Sequence, residues 1–244
     1  MRRPLELSIE NENEEDDEGC RMVPYFRIVR FGDHVIDVLI PTYYEAKLTI
    51  KRWFQERNRE KRRSPLVAGL SFFRDFPDRK QWWLPRSGNR NHPSNPIYGI
   101  ALCLGGSHCL FIENVDYYEH LTNSRVLRDF LANSRVTIVG VGIKKAAASL
   151  EKDCGIHLGK PVEAKMLMEE AYGKDEMMGR SGLEEMAQIA LDGMRVARTP
   201  VDITKNKWAE DSDIDEERVM QTTFDAFLCF EVGVKCLQKL GQPT

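Results

Sequence analysis

Residues able to do chemistry are few in this chain, and most recognised patterns are absent. Five histidines (His34, His92, His108, His120, His157) show neither HxxxH nor HExxH spacing, so no zinc site is indicated. Six cysteines (Cys20, Cys103, Cys109, Cys154, Cys229, Cys236) contain no CxxC pair, and several sit in apolar runs where a reduced thiol packs as a small hydrophobe. Gly140 and Gly142 lack the third glycine of a dinucleotide-binding loop. No GxSxG or Cys-His signature supplies a nucleophile. What remains is cationic and aromatic. Arg74 and Lys144-Lys145 could contact phosphates, and Trp82-Trp83 could stack on bases as aromatic side chains do in single-strand binders. Each has a plainer reading: a solvated lysine pair, and a packed or interface tryptophan pair. Two lysines at a helix start oppose the helix dipole, which argues against a purely stabilising role for them.

Composition narrows the partners. With 244 residues, 42% hydrophobic and 30% charged, the chain can bury one substantial core, and one main domain is expected. A net charge of -3 gives no global attraction to nucleic acid or an anionic membrane, so any basic groove must be local. Glu10 to Glu18 holds seven acids and no base, which predicts a disordered acidic tail over residues 1–21 ahead of a domain over 22–244. The opening Met1-Arg-Arg-Pro4 leads into acids rather than an apolar stretch, which argues against a secretory signal. No run approaches the roughly 18 apolar residues of a membrane span. The expected location is cytoplasmic or nuclear.

The elements that must position these residues follow from periodicity. Tyr25 to Gly32 and His34 to Pro41 read as a hairpin turning at Gly32-Asp33. Thr42-Tyr-Tyr-Glu45 has the form of a capping box, and Tyr43, Ala46, Ile50, Trp53 and Phe54 make the apolar stripe of a helix to about Arg62. Its basic end, Arg57 to Arg63, reads as a solvated face. Pro65 to Phe73 is a near-continuous apolar run, the pattern of a strand covered on both faces. Arg74 to Pro96 reads as a long loop. Tyr98 to Leu104 and Cys109 to Glu113 make a second hairpin about Gly105-Gly106. A helix near Arg125 to Ala132, a strand from Val136 to Ile143, a helix through Leu150 and a strand near Pro161 to Met166 follow. Helices are expected over Leu183 to Leu191 and Asp215 to Leu240, the latter with Val219, Thr223, Phe227, Phe230, Val234 and Leu237 on one side. Hairpins first and strand-helix alternation afterwards give an α/β mixed sheet flanked by helices.

Four segments occur in one order: Pro65-Leu-Val-Ala-Gly-Leu-Ser-Phe-Phe-Arg74; Ala101-Leu-Cys-Leu104 beside Cys109-Leu-Phe-Ile112; Val139-Gly-Val-Gly-Ile143 before Leu150; and Phe224-Asp-Ala-Phe-Leu-Cys-Phe-Glu-Val-Gly233. In order and spacing they resemble the exonuclease domain of the Werner-syndrome-like family, a branch of the DEDD 3′-to-5′ exonucleases with the RNase H-like fold. The resemblance covers roughly Tyr25 to Leu240. It implies two divalent ions, Mg²⁺ or Mn²⁺, about 4 Å apart on four carboxylates, with a tyrosine orienting the attacking water.

Carried onto this chain, the family's acid pair falls on Ser71 and Phe73, its third acid on Ala146, its tyrosine on Gln221 and its fourth acid on Asp225. The family's histidine variant would need His where Met220 stands. Only Asp225 keeps its expected type. Phe73 and Ala146 offer no lone pair, and a serine hydroxyl is a poor magnesium ligand beside a carboxylate. Asp75, Asp78 and Glu151 lie nearby in sequence, but strand and helix periodicity does not aim them at Asp225. The expectation is therefore a non-catalytic, metal-free, exonuclease-like chain acting through a protein partner. That partner would be a scaffolded protein or an active exonuclease homologue, in a homo- or hetero-oligomer. The alternative is a nucleic-acid-binding protein, or a residual metal-dependent exonuclease, acting on single-stranded RNA or DNA with Arg74, Lys144, Lys145, Trp82 and Trp83 as contacts.

Overall fold

The structure, a computed structural model, describes residues 7–11, 24–41, 46–60, 67–74, 97–113, 124–180, 182–191 and 216–242. Its first strand corrects an expectation. β1 (Leu7–Asn11) lies within the segment read as a disordered tail, yet pairs antiparallel with β2 (Tyr25–Phe31) over its full length. The seven acids outweighed a short alternation, Leu7-Ser8-Ile9-Glu10, whose Ile9 packs against the core while Glu10 faces solvent. Glu10 accepts from Arg30 Nε and Nη2 at 2.9 and 3.1 Å, and that bond holds its carboxyl below the ordinary range.

β2 then turns through Gly32-Asp33 into β3 (His34–Ile40), with Gly32 at φ 56°, a left-handed conformation that suits glycine. Helix α1 (Ala46–Glu60) buries Ala46, Ile50, Trp53 and Phe54, the expected stripe; Tyr43 and the Thr42 to Glu45 cap lie outside the described residues. The sheet continues with β4 (Val67–Arg74) and the second hairpin, β5 (Ile97–Leu104) and β6 (His108–Glu113). Helix α2 (Arg125–Leu131) precedes β7 (Thr137–Gly140), α3 (Ile143–Cys154) and β8 (Pro161–Glu163). Three helices follow: α4 (Ala164–Tyr172), α5 (Leu183–Ala190) and α6 (Glu216–Lys239).

The eight strands lie in the order β1-β2-β3-β6-β5-β4-β7-β8. β2 and β5 run against the rest, so β4, β7 and β8 all end at the same edge of the molecule. Side-chain alternation along β4 separates two apolar layers. Val67 and Phe73 join the layer under α4, α5 and α6; Ala68, Leu70 and Phe72 join the layer under α1, α2 and α3. This is the expected class, a mixed α/β sheet with helices on both faces.

Two boundaries differ from expectation, each for a local reason. The run Val136 to Ile143 is strand only to Gly140. Gly142 takes φ 64°, and Ile143 already begins α3. The Gly142 amide donates to Glu163 Oε1 at 2.7 Å, which ties the turn to β8. The strand expected to Met166 stops at Glu163, because Ala164, Leu167 and Met168 recur at helical spacing and are buried as one face of α4. Helix α6 also exceeds the single stripe read from sequence. It buries Phe224, Ala226, Leu228, Cys229, Val232 and Cys236 as well, being enclosed between the sheet and α4 and α5.

Cys103, Cys109, Cys229 and Cys236 are buried thiols outside any disulfide, as expected of packing cysteines, and burial pushes Cys109 up to about 12. Among the described residues, no helix is long and apolar enough to cross a membrane.

At the far end of α6 from the strand termini just described, Glu231 reaches toward the β5–β6 turn, and burial raises its carboxyl above the ordinary range against the opposing pull of His34 and Lys235. A carboxyl that holds its proton more tightly when folded adds stability as pH falls through its folded value, and its ionised form at neutral pH is a cost. Glu231→Gln is therefore expected to raise the melting temperature near neutral pH, by a stability gain under about 1 kcal/mol. The gain should vanish below the ordinary carboxylate range, which paired thermal melts would reveal.

Candidate functional site

The seam between β4 and α6 carries most of the positions that matter. Glycine sets how close helix and strand come. A Cβ on Gly69 would stand 1.9 Å from the Ala226 carbonyl oxygen and 2.5 Å from the Phe230 nitrogen. Farther back, Gly233 of α6 lies against Val139 and Val67. In the other direction the Arg218 guanidinium sits over the Phe73 ring, 5.6 Å from its centroid. Ser71 lies between Gly69 and Phe73 on the same strand face, which sets it level with the turn of α6 that holds Gln221 and Asp225. Both of those residues are half-buried, and neither lacks an interaction partner.

Phe73 fills the strand end of this seam. Its ring stacks on Phe111 at 5.7 Å and 10° and tilts against Tyr98 at 5.5 Å. It also occupies the space over Gly99 of β5, where a Cβ would meet ring carbons at 2.2 and 2.5 Å. The register between β4 and β5 shifts between Phe73 and Arg74, the local irregularity that lets the strand end splay. An aromatic ring bounded by Phe111, Tyr98, Gly99 and Arg218 thus stands where the resemblance calls for a carboxylate. Arg218 adds positive charge, which repels a divalent cation.

Four of the five sequence-derived positions, Ser71, Phe73, Gln221 and Asp225, are therefore brought to one seam. The fifth is not. Ala146 is fully buried in the apolar layer on the opposite face of the sheet, with Ala68, Leu70, Ile143 and Leu150, and Phe72 packed against it. Among the described residues, no cluster of three or more His, Cys, Asp or Glu could hold a metal ion. Of the phosphate and base contacts read from sequence, Lys144 and Lys145 are exposed at the start of α3, and Lys144 Nζ lies 3.4 Å from Met166 Sδ. Arg74 ends β4, and Trp82 and Trp83 lie outside the described residues.

Sequence reading passed over Gly99, Arg218 and Glu163. An isolated glycine inside the apolar run Ile97-Tyr-Gly-Ile100 signals a close approach by another group, and Arg218 precedes Gln221 by one helical step. Glu163 gave no signal, because its role depends on the turn at Gly142.

A cavity of about 320 Å³ opens on the other helical layer, lined by Arg125, Arg128, Asp129, Ala132, Gly155 and His157. Its charges are already engaged: Arg125 with Asp129 at 3.4 Å, His157 with Glu151 at 3.2 Å, and Arg128 donating to the Gly155 carbonyl at 2.9 Å.

The fit between Phe73 and Gly99 is open to test. Gly99→Ala is expected to destabilise the fold, and part of that loss, about 1 kcal/mol, should disappear in a Phe73→Ala background. Urea unfolding of the four proteins of this cycle gives the coupling directly; strictly additive effects would show that the ring does not press on Gly99.

No protein-family model matches the chain, and no curated protein matches it either. Solved structures of the EXD2 exonuclease domain do align with it. The form soaked in Mn is 18% identical over 84% of this chain and 89% of that one, with a TM-score of 0.40. The form soaked in Mn and dGMP is 17% identical over 83% and 88%, also with a TM-score of 0.40. A form of that domain with no soak named is 13% identical over 84% and 93%, with a TM-score of 0.39. Similarity at this level assigns neither a family nor an activity.

Proposed function

We propose that this chain is a pseudonuclease: a 3′-to-5′ exonuclease-like scaffold of the RNase H-like kind that cannot hold its two metal ions. It acts instead through protein contacts, as a scaffold or as a regulator of an active homologue. The observation that carries this reading is the Phe73 ring, enclosed by Phe111, Tyr98 and Gly99 and covered by Arg218. Two-metal phosphodiester hydrolysis needs carboxylate oxygens to hold both ions, which would lower the pKa of the attacking water and neutralise the leaving oxygen. Along this seam Asp225 is the one carboxylate at a position the resemblance assigns to a ligand. Ser71 gives a neutral oxygen, Phe73 gives none, and Arg218 supplies charge of the wrong sign.

The direct test incubates the purified chain with labelled single-stranded RNA and DNA in magnesium and in manganese. The expected outcome is full-length oligonucleotide in every lane. Ladder-like shortening that disappears in Asp225→Ala would contradict the reading. Retention of uncut oligonucleotide at ~0.15 M salt, falling steeply as salt is added, would instead assign a phosphate-binding role. With neither outcome, light scattering is expected to report a particle larger than the 28.1 kDa monomer, alone or with a homologous exonuclease.

A further inference from the structure

One surface is not used by the core or by the β4–α6 seam. It lies where β7 and β8 end, at the same edge of the molecule as Ser71 and Phe73. Val141 and Met166 are large apolar side chains left 42% and 54% exposed there. They are linked to cations. Lys144 and Lys145 open α3 three and four residues after Val141, which precedes the helix, and Lys144 Nζ rests on Met166 Sδ at 3.4 Å. Lys165, beside Met166 on α4, is exposed too. Glu163 is committed to the Gly142 amide at 2.7 Å, and Glu169 and Glu170 stand one turn along α4 from Lys165 and Met166. A thioether is a weak acceptor, so an ammonium resting on it forgoes little when a carboxylate arrives.

We infer that this patch docks an acidic peptide segment of a protein partner, with an apolar side chain seated between Val141 and Met166 and flanking carboxylates on Lys144, Lys145 and Lys165. This inference rests on the protein-contact reading above and names the partner's chemistry. Lys144 and Lys145 have no acid within a turn of them on α3, and they set the sign of the partner. The apolar pair decides its class, since an exposed methionine adapts to varied apolar side chains. A nucleic acid would use the lysines and leave Val141 and Met166 in water.

The probe is a fluorescein-labelled twelve-residue peptide of alternating Glu and Leu, read by fluorescence anisotropy, with a twelve-nucleotide oligo(U) carrying the same label as comparison. Saturable peptide binding is expected. Lys144→Glu with Lys145→Glu should weaken it about tenfold, since exposed pairs are replaced by repulsion. Met166→Ser should weaken it about threefold while leaving its salt dependence unchanged, because only apolar burial is lost. All three changes lie on exposed side chains, and unchanged melting curves would show that the variants are folded. Three results would overturn the inference: no peptide binding, binding indifferent to these substitutions, or oligo(U) bound more tightly than the peptide through the same lysines. A negative result here with no nuclease activity leaves the pseudonuclease reading intact. Metal-dependent cleavage would remove that reading whatever the peptide does.

Discussion

Gly69→Ala is expected to cost about 3 kcal/mol or more, enough to unfold much of the population or to abolish soluble expression. The added methyl would meet backbone on the far side, the Ala226 carbonyl oxygen at 1.9 Å and the Phe230 nitrogen at 2.5 Å. A flexible side chain can turn aside from such an intrusion, but a helix backbone can only move as a unit. Helix α6 is a poor candidate for movement. It packs on β4 at one side and on α4 and α5 at the other, and Gly233 fixes its approach to Val139 and Val67 farther along. Separating α6 from the sheet would open the layer that holds Phe224, Phe227 and Phe230. Gly241→Ala makes the matched control: its φ of 69° is strained for alanine, yet nothing lies within 4 Å of the new methyl. That variant should lose about 1 kcal/mol from backbone conformation alone. Urea unfolding of the two proteins would separate helix-strand contact from backbone strain, and a Gly69→Ala protein as stable as the control would contradict the packing described for α6.

Ala146→Asp is expected to be nearly as damaging, at about 3 to 5 kcal/mol, because it buries a carboxylate without a partner in hydrocarbon. Ala146 has no exposed surface, and Ile143, Leu150, Leu70 and Phe72 belong to the layer it occupies. The contrast with the resemblance gives the experiment its value, since that position is where the exonuclease family carries a metal-binding acid. In a chain that merely lost its ligands by point changes, restoring the acid would be tolerated. Here the surrounding layer is apolar, and restoring it should break the fold. Ala146→Ser tests the same site with less polar load and should cost about 1 to 3 kcal/mol. Equal stability of Ala146→Asp and the parent protein in urea would show that the site remains open to water.

The strands and helices were largely legible, because alternation and helical spacing are local signals and their apolar faces are buried as read. Three features were not, and each depends on something distant. Gly142 ends β7 through a left-handed turn held by a carboxylate on β8. Ala164 to Met168 mixes apolar and polar residues in a way that suits a strand or a helix until α6 provides a face to cover. Leu7 to Asn11 is too short and too close to an acidic run to outweigh it, and orders because β2 offers a free edge. For the site, residue types alone set the expectation that Ser71, Phe73, Ala146 and Gln221 lack the groups the resemblance calls for. They could not show what surrounds those positions. The seating of Phe73 over Gly99 and beneath Arg218 depends on the antiparallel register of β5 and on the pitch of α6, neither of which is written in adjacent residues. Nor could they show that Ala146 faces the opposite layer from Ser71 and Asp225.

The central claim is that the β4–α6 seam no longer binds divalent metal, and titration with Mn²⁺ followed by electron paramagnetic resonance tests it without reliance on substrate. The account predicts that the manganese signal of the parent chain matches that of Asp225→Asn across the titration, with no saturable component belonging to the seam. A saturable loss of free-ion signal in the parent chain that disappears in Asp225→Asn would contradict it.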